Sequence, residues 1–399
     1  MGESPSDLVV ISYARTAIGA FGGGFRFTPA YDLGAAAIKG ALERAGITGD
    51  DVDEVYFGHA RQAGNGPNPG RTAAVRGGVR KDANVCTLTN ACPSSMKALI
   101  SGAQSILAGD NKTLVIGGHE SMSTIPYLLK DIRWEGTKLG DRVLMDGWND
   151  TIDPLCDMSM GLTAENLADI HSIGREEQDV WALESNRKAV AAQKGGHFAR
   201  EIVPVEVEPR SAKESSYVVS TDENIRTDST LEKLARLRPV FKENGTVTAG
   251  NASKMGDGGA AMVLTTREIA VGLGVTPLFS IVCWVSTAVE PARMGEGPGV
   301  AIRMVLERAG LVLSDMDLIE VNEAFASQCL ANERQLSWDR SKVNVWGGAV
   351  AMGHPPGMTG ARLIGTLDSQ LRVHDKEIGV ASICGGGGVS TAVIIKRES

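Results

Sequence analysis

The chain has 399 residues, of which 43% are hydrophobic and 22% charged, a composition typical of a globular protein with two or three domain-sized units. Its formal net charge of −8 argues against binding to nucleic acid or to a membrane surface, and no apolar run is long enough to span a bilayer. The six cysteines include no C-x-x-C pair, which predicts reduced thiols and neither a disulfide framework nor structural zinc. The N-terminus is polar and acidic, unlike a secretory or mitochondrial leader, and this predicts a cytoplasmic protein.

An internal repeat organises the chain. The first predicted helix ends with the letters LERAG at residues 42–46, and the same five letters return 264 residues later at 306–310. The same offset relates further pairs: Asp51 and Asp315, Asp53 and Asp317, residues 99–100 and 363–364, and residues 114–116 and 378–380. Each copy predicts an amphipathic helix that ends at a glycine and is followed by a short strand. We therefore predict two similar α/β halves, each with a mostly parallel sheet covered by helices.

Cys92 lies at the predicted start of a helix, where Pro93 suits the first helical position. An apolar stripe at helical spacing follows, made of Ala98, Leu99, Ile100, Ala103, Ile106 and Leu107. A thiol at a helix N-terminus meets the positive end of the helix dipole, which predicts a lowered pKa and a reactive nucleophile. A small buried cysteine with no chemical role is the alternative interpretation.

A long insertion, residues 119–249, separates the two halves. It contains a predicted helix over residues 175–193, with Ser172 as its candidate N-cap and residues 195–196, two glycines, as its stop. Residues 187–242 contain 11 Lys and Arg against 8 Asp and Glu, so this part is positively charged within an acidic protein. It either holds an anionic ligand or forms a solvated surface of mixed charge.

Three tracts in the second half bring further chemical groups. Asn322 follows an apolar run and could position a water molecule or donate to an oxyanion. His354 is flanked by a glycine and a proline on a predicted loop, where its imidazole could take the Cys92 proton; the other five histidines lack such surroundings. Cys384 follows a predicted strand over residues 378–383 and leads into a glycine run whose N–H groups could bind an oxyanion.

Together these tracts supply a nucleophile, a base and N–H groups for an oxyanion, which are the parts that acyl transfer through a thioester needs. Taken one at a time, the tracts have simpler interpretations: His354 could be an ordinary histidine in a surface turn, and Cys384 a buried cysteine before a glycine-rich turn. Motifs of other enzyme classes are missing from the sequence. It has no G-x-S-x-G elbow, no P-loop ending in G-K-[ST], no H-E-x-x-H, and no G-x-G-x-x-G after a strand with a following acid.

These tracts resemble those of the thiolase family, and the resemblance runs essentially from end to end. It rests on residues 15–19 (RTAIG), 117–123 (GGHESMS), 163–166 (TAEN), 322–325 (NEAF), 353–355 (GHP) and 384–386 (CGG). It implies the family's fold, a duplicated five-layer αβαβα arrangement with an inserted loop domain. Three parts are then expected: an N-terminal half of residues 1–118 completed by about 250–272, a loop domain of residues 119–249 that covers coenzyme A, and a C-terminal half of residues 273–399.

The resemblance also implies a role for each matching residue. Cys92 is expected to be the nucleophile that carries the acyl thioester, and His354 its activating base. His354 and a water held by Asn322 are expected to form one oxyanion hole. The N–H groups of Cys92 and Gly386 are expected to form a second. Cys384 is expected to be the acid/base that removes the α-proton of acetyl-CoA or protonates the departing carbanion.

Within the family, residues 226–253 most resemble the biosynthetic acetoacetyl-CoA thiolases. This implies a reversible Claisen condensation of two acetyl-CoA molecules to acetoacetyl-CoA and CoA, or thiolytic cleavage of a 3-ketoacyl-CoA, in fatty acid and lipid metabolism. The resemblance places five more residues around coenzyme A and the acyl group: Arg226, Ala249, Ser253, Met160 and Ala324. It implies no metal, no cofactor other than coenzyme A and acyl-CoA as substrates, no nucleic-acid or membrane partner, and a homodimer or homotetramer.

Two positions depart from the family pattern. Pro93 replaces a small Gly or Ala directly after the nucleophile, and Ser159 replaces a His before the methionine of the acyl pocket. Ser159 leaves open a 3-ketoacyl-CoA thiolase with a broader chain-length range, and Pro93 leaves open a non-catalytic relative that binds acyl-CoA. A decarboxylating ketoacyl synthase of the same superfamily is disfavoured, because those enzymes use a His or Asn where this chain has Cys384.

Overall fold

The computed structural model describes residues 7–134, 136, 139–148, 152–209 and 215–398. The polar N-terminal segment lies, apart from Asp7, outside the described residues. The strands are β1 (Leu8–Arg15), β2 (Gly19–Ala20), β3 (Glu54–Gly58), β4 (Asn84–Leu88), β5 (Thr113–Ser121), β6 (Tyr127–Leu128), β7 (Met145–Asp146), β8 (Val205–Val207), β9 (Tyr217–Val219), β10 (Gly256–Thr266), β11 (Phe279–Ala288), β12 (Leu318–Val321), β13 (Ile378–Cys384) and β14 (Val389–Arg397). The α-helices are α1 (Ala30–Ala45), α2 (Pro69–Arg76), α3 (Ser94–Ala108), α4 (Met160–Ile170), α5 (Arg175–Lys194), α6 (Leu231–Ala235), α7 (Arg267–Gly272), α8 (Gly297–Ala309), α9 (Ala326–Leu336), α10 (Ala349–Met352) and α11 (Pro356–Val373).

The main sheet has the strand order β12–β13–β14–β11–β1–β10–β5–β3–β4, with β2 paired to β10. Among its described strands, β3 pairs in parallel with β4 and β5, and β12 with β13, while the other pairs are antiparallel. The prediction of mostly parallel sheets is therefore wrong. The glycine run at residues 385–388 is a tight connection between β13 and β14, and a connection that short joins only antiparallel strands.

The internal repeat is visible at the ends of equivalent elements. Both α1 and α8 end at a glycine in the left-handed region, Gly46 with φ 67° and Gly310 with φ 68°, as the sequence predicts. Asp53 and Asp317 each accept hydrogen bonds from two backbone N–H groups at the start of a neighbouring strand, β5 and β13 respectively. The two halves therefore repeat these stabilising hydrogen bonds as well as the amino-acid sequence around them.

The strand registers extend the duplication and correct one offset. The pairs β1–β10 and β11–β14 each have one bulge at the corresponding place, between Val10 and Ser12 and between Ile281 and Cys283. The register of β5 on β3 and of β13 on β12 gives Leu114 the counterpart Gly379, an offset of 265 and not 264. The second half has a net one additional residue between its two parallel strands.

The helices complete five layers. α3 and α11 pack against each other in the centre of the molecule, where residues 99–100 and 363–364 are buried. α1 and α2 cover the outer face of the first half, and α8 and α9 cover the outer face of the second. Successive side chains of β1 serve both faces, since Val10 joins the central core and Val9 the outer one. This order of layers confirms the αβαβα fold.

A buried ion-pair network attaches the insertion to the core. Arg15 is fully buried, and its guanidinium donates to Asp222 at 2.8 and 3.0 Å and to Glu201 at 2.7 Å. Removing one partner of such a network typically costs about 3–5 kcal/mol, because an uncompensated charge stays buried. Asp222 lies four residues before Arg226, so the network fixes the chain segment that carries this candidate residue for coenzyme A.

α5 confirms a predicted helix but not its predicted cap. The N-cap is Gly174, whose N–H donates to the carboxylate of Glu177 at 2.7 Å. Ser172 has φ 49°, in the left-handed region, where a side chain does not cap the helix that follows two residues later. Within the described ranges, no helix combines the length and the apolar character that crossing a lipid bilayer requires.

Candidate active site

Cys92 lies on a constrained turn directly before α3. The helix begins at Ser94 with Pro93 as its N-cap residue, so Pro93 stands one position before the predicted first helical place. Ala91 has φ 50°, a left-handed conformation that costs a non-glycine residue on the order of 1 kcal/mol or more. The Ser94 hydroxyl holds the turn by donating to the Ala91 carbonyl at 2.5 Å and accepting from the N–H of Asn90 at 2.9 Å.

The electrostatics at Cys92 differ from the sequence expectation. Burial raises the pKa of Cys92 to about 12, and the charge of Glu120 acts in the same direction. The charge of Arg61 and the N–H groups of Cys92 and Gly386, which face the sulfur, oppose that rise. The predicted lowering of the pKa is wrong, because loss of hydration outweighs the helix dipole. Cys92 is therefore a neutral thiol at pH 7 and needs a base when it attacks.

The hydrogen bonds of His354 fix the tautomer of its imidazole. Nδ1 lies 2.7 Å from Oγ1 of Thr359, and that hydroxyl donates its hydrogen to the carbonyl of Pro355 at 2.7 Å. Because the hydroxyl has one hydrogen, Nδ1 must donate to it, and the proton of the neutral ring sits on Nδ1. Nε2 is then an unprotonated acceptor, buried and without a partner among the described residues. This is the form in which a histidine takes a proton.

Burial also keeps the imidazole of His354 neutral. Burial, with a smaller contribution from the nearby Arg362 guanidinium, lowers the pKa of His354 to about 3. A proton accepted from Cys92 is therefore held only while an opposite charge forms beside it. The base is strong enough for the step only together with the thiolate that the step creates.

Asn322 follows the end of β12 with both polar side-chain atoms buried. Its backbone N–H donates to the carbonyl of Ser382 at 3.0 Å, which places it beside the end of β13. Neither Oδ1 nor Nδ2 has a hydrogen-bond partner among the described residues. A buried amide left this way costs about 1–3 kcal/mol. The side chain is therefore available to hold a water molecule or a substrate oxygen.

Cys384 ends β13 and is 1% exposed. Burial raises the pKa of this thiol well above its ordinary value, and the neighbouring Cys92 raises it further. It belongs to an apolar cluster with Ala324 and Phe325, against which Met160 packs. Cys384 therefore lies between this apolar cluster and the turn before α3, since a Cβ on Gly385, the next residue, would lie 3.1 Å from the backbone N of Cys92.

The glycine run after Cys384 approaches the nucleophile turn closely. A Cβ built on Gly385 would lie 2.5 Å from Cδ of Pro93. The ring of Pro93 therefore fits because residue 385 is a glycine and has no side chain. A Cβ on Gly386 would lie 3.3 Å from Sδ of Met160. Gly387 has φ 82°, and its N–H donates to Asp153 at 2.7 Å, which fixes the run from the side of the insertion.

The central helices bring the two halves of the site together. The N–H of Ala361 in α11 donates to Oγ of Ser95 in α3 at 2.9 Å, and a Cβ on Gly360 would lie 2.5 Å from the backbone N of Met96. The N-termini of the two helices are thus in contact. Each candidate residue, Cys92 and His354, lies two residues before the helix of its own half, so the duplication itself places them at one point.

The remaining predicted residues lie at two depths, beside the apolar cluster and at the surface. The N–H of Ser253 donates to the carbonyl of Ala324 at 2.8 Å, so these two lie together beside Cys384. Ala249 is exposed, and so is Arg226. Arg226 lies near Lys254, whose pKa burial lowers to about 8 with this guanidinium contributing. Arg226 and Ala249 are thus at the surface, whereas Ser253 and Ala324 lie beside the apolar cluster.

Several residues of the site were missed by sequence reasoning. Thr359 lies one helical turn beyond Pro355, a spacing that could have indicated a partner for the histidine. Glu120 lies within the matched tract 117–123, and its hydrogen-bonded neighbour His59 lacks the glycine and proline on its two sides by which the sequence singles out His354. Ser159, which the sequence already identifies as a departure from the family pattern, is the N-cap of α4, where its hydroxyl accepts from the N–H of Leu162 at 3.3 Å.

Comparison with known proteins gives consistent matches along the whole chain. The model of the thiolase N-terminal domain matches residues 8–268, and that of the thiolase C-terminal domain matches residues 275–397. An acetyl-CoA acetyltransferase of Cupriavidus necator is 44% identical, covering 98% of this chain and 100% of that protein.

Two solved structures are similarly close. The Bacillus anthracis acetyl-CoA acetyltransferase has a TM-score of 0.95 at 41% identity, covering 98% of this chain and 99% of its own. The human mitochondrial 3-ketoacyl-CoA thiolase in complex with CoA has a TM-score of 0.94 at 39% identity, covering 99% of both chains. Matched over both halves in sequence and in fold, the chain belongs to the thiolase family of enzymes.

Proposed function

We propose that this thiolase condenses two molecules of acetyl-CoA to acetoacetyl-CoA and CoA, and cleaves acetoacetyl-CoA in the reverse direction, through an acetyl thioester on Cys92. The observation that carries the proposal is the proximity of Cys92 and Cys384: a Cβ on Gly385, the residue after Cys384, would lie 3.1 Å from the backbone N of Cys92, and Cys92 raises the pKa of Cys384. One thiol can carry the acyl group while the other moves the proton of the carbon nucleophile. The names of the Cupriavidus and Bacillus relatives support acetyl as the acyl group.

The cleavage direction begins with proton transfer from Cys92 to Nε2 of His354 as the sulfur attacks the 3-keto carbon. The N–H groups of Cys92 and Gly386 stabilise the oxyanion that forms. The bond between C2 and C3 then breaks, its electron pair stays on C2, and Cys384 gives its proton to that carbon. The oxygen of the departing acetyl-CoA is held by His354 and by a water on Asn322. Acetyl-CoA leaves, and Cys92 keeps the acetyl group.

The second half of the reaction restores every group. At this stage His354 carries a proton and Cys384 is a thiolate, and their opposite charges stabilise each other in a site of low polarity. Cys384 takes the proton of the incoming CoA, whose sulfur attacks the acetyl carbonyl. Cys92 departs as a thiolate and takes its proton back from His354. Condensation follows the same path in reverse.

The insertion supplies the remaining contacts in this proposal. Residues 119–249 cover coenzyme A, and Arg226, Ala249 and Ser253 lie along its path from the surface to the thiols. The exposure of the first two and the hydrogen bond of Ser253 to Ala324 support this path. The mechanism uses no cofactor beyond coenzyme A. A homodimer or homotetramer is proposed on the family resemblance, and a cytoplasmic location on the six free cysteines.

A 3-ketoacyl-CoA thiolase with a broader chain-length range is the second candidate, and Ser159 favours it. Ser159 stands directly before Met160, which contacts the apolar cluster around Cys384. Its side chain is engaged in capping α4 and is smaller than the His of the biosynthetic members. The pocket next to Met160 then has room for a longer acyl chain.

A CoA-dependent cleavage assay with 3-ketoacyl-CoAs of increasing chain length distinguishes the two candidates. Acetoacetyl-CoA is expected to give the highest kcat/KM. A higher value for an eight-carbon or longer substrate supports the broader enzyme, and Ser159→His is then expected to shift the preference back to four carbons. Absence of CoA-dependent cleavage for every chain length, in a folded protein, contradicts both.

A further inference from the structure

We propose that Glu120 and Glu323 are positioning residues that clamp the His354 loop from its two sides, an inference that rests on the proposed thiolase reaction. Each carboxylate is buried, and each accepts a hydrogen bond from a backbone N–H group that flanks His354. Val350 supplies that group four residues before the histidine, and Gly357 supplies it three residues after. The loop between them carries the base of the reaction.

Glu120 reaches the loop from the first half of the chain. Its Oε2 accepts from the N–H groups of Gly357 at 2.9 Å and Ala60 at 3.0 Å. Its Oε1 accepts from the N–H of Arg61 at 3.2 Å and lies 3.2 Å from Nε2 of His59. Four N–H donors surround one carboxylate, which uses all of its acceptor capacity. The end of β3 is thereby fixed to the start of α11.

His119 orients His59, the histidine that contacts Glu120. A carboxylate only accepts, so His59 presents its Nε2–H to Glu120, and its Nδ1 accepts from Nε2–H of His119 at 3.2 Å. Burial lowers the pKa of His119 well below its ordinary value, with His59 contributing, so the outer ring stays neutral. The chain His119–His59–Glu120 is fully buried and has one consistent set of protons. It holds the carboxylate in the orientation that faces Gly357.

Glu323 reaches the loop from the second half and from the insertion. Its Oε2 accepts from the hydroxyl of Ser185 at 2.6 Å and from the N–H of Val350 at 3.2 Å. Its Oε1 accepts from Nε1 of Trp181 at 3.2 Å and from Nδ2 of Asn344 at 3.0 Å. This carboxylate is also surrounded by four donors. It fixes α10, directly before the histidine, to α5.

The two carboxylates act through backbone groups, and this decides what their loss does. His354 must lie within hydrogen-bond reach of the Cys92 sulfur, and a displacement of about 1 Å can cost roughly 100-fold in rate. Loosening either end of the loop is therefore expected to lower kcat. The surfaces along the coenzyme A path, at Arg226 and Ala249, lie outside the loop, so KM is expected to change little.

The repeat offers matched controls in Asp53 and Asp317. Each of these carboxylates also accepts from two backbone N–H groups, at distances of 2.8–2.9 Å for Asp53 and 3.0–3.1 Å for Asp317. They lie at the opposite ends of the same parallel strand pairs, β3–β5 and β12–β13. Their amide variants remove a carboxylate with a similar structural task, away from the His354 loop.

The test compares Glu120→Gln and Glu323→Gln with Asp53→Asn and Asp317→Asn in acetoacetyl-CoA cleavage. The glutamate variants are expected to lose about 10- to 100-fold in kcat with KM within about threefold of wild type. The aspartate variants are expected to keep kcat within about threefold at a comparable loss of Tm. Equal losses of kcat in both groups at equal Tm, or unchanged kcat in both glutamate variants, overturn the proposal.

Hydrogen exchange keeps the test decisive if a glutamate variant does not fold. Hydrogen exchange of the wild-type protein is expected to show the amides of Val350 and Gly357 as protected as the centre of β5, and rapid exchange there contradicts the clamp even if the chain shows no thiolase turnover. Alkylation of Cys92 by iodoacetamide gives a readout besides turnover in the variants that fold. Cys92 faces Glu120, Arg61 and Cys384. In Glu120→Gln, loss of the carboxylate charge is expected to move the pH profile of alkylation to lower pH. In Glu323→Gln, displacement of His354 is expected to slow alkylation at pH 7, and an unchanged rate there contradicts the clamp.

Discussion

Thr359 decides which nitrogen of His354 carries the proton. Its hydroxyl accepts from Nδ1 at 2.7 Å because its single hydrogen is already donated to the carbonyl of Pro355. The free lone pair is therefore on Nε2, which is the atom that the mechanism requires. A helix-start threonine, one turn beyond Pro355, thus controls a catalytic proton through its hydrogen bond to the ring.

Thr359→Val is expected to lower kcat by about 10- to 100-fold with little change in KM, because the other tautomer, with its proton on Nε2, becomes accessible. Thr359→Ser keeps the hydroxyl and is expected to restore most of the activity. Thr366→Val is the matched control: this buried threonine of the same helix donates to Glu201 at 3.1 Å, away from the site. Equal losses in the two valine variants would show that the effect is one of stability. Steady-state kinetics with acetoacetyl-CoA provide the measurement.

Iodoacetamide at near-neutral pH is expected to modify Cys92 before the other cysteines, and acetyl-CoA is expected to protect it. A pKa raised to about 12 leaves less thiolate at pH 7 than an ordinary thiol has, so the reaction depends on proton transfer to His354. His354→Asn is therefore expected to slow alkylation at pH 7, and the residual rate is expected to rise about tenfold per pH unit below the pKa. Peptide mapping that finds Cys156 or Cys283 modified first, with activity intact, contradicts this assignment.

The two cysteine variants are expected to fail differently. Cys92→Ala removes the acyl carrier, and every partial reaction is expected to stop. Cys384→Ala keeps Cys92 and His354. CoA can leave as a thiolate while the proton taken from Cys92 stays on His354, so acetylation by acetyl-CoA is expected to survive. Condensation and cleavage are expected to fall by about 10²–10⁴-fold, because the carbon acid then has no proton donor or acceptor. Intact-protein mass spectrometry after mixing with acetyl-CoA separates the two. A folded Cys384→Ala protein that is not acetylated would assign Cys384 to activation of the nucleophile.

Gly385→Ala is expected to lower kcat by about 10-fold or more, because the new Cβ would lie 2.5 Å from Cδ of Pro93 and 3.1 Å from the backbone N of Cys92. Pro93→Ala removes the first of these contacts and is expected to restore part of the loss in the double variant. Pro93→Ala alone, in an otherwise unchanged site, is expected to stay close to wild type. A double variant no more active than Gly385→Ala contradicts the contact as the cause. Double-mutant analysis of kcat supplies the coupling.

The sequence alone determined the features that local pattern encodes. The LERAG repeat predicted two helices with left-handed glycine caps, and both are present at Gly46 and Gly310. The sequence also placed Cys92 at the start of a helix and Cys384 at the end of a strand, because apolar spacing and glycine runs indicate backbone conformation directly. The five-layer fold followed from the family resemblance, and the duplication agreed with it.

Only the tertiary structure decided the features that depend on distant segments. The prediction of mostly parallel sheets and the predicted sign of the Cys92 pKa shift were both wrong, because strand pairing and loss of hydration arise only when distant segments pack. The tautomer of His354 and the clamp by Glu120 and Glu323 likewise depend on hydrogen bonds that no spacing in the chain reports. The reactive residues of this protein can thus be identified from the amino-acid sequence, whereas their protonation states are set by burial and by the partners that folding brings beside them.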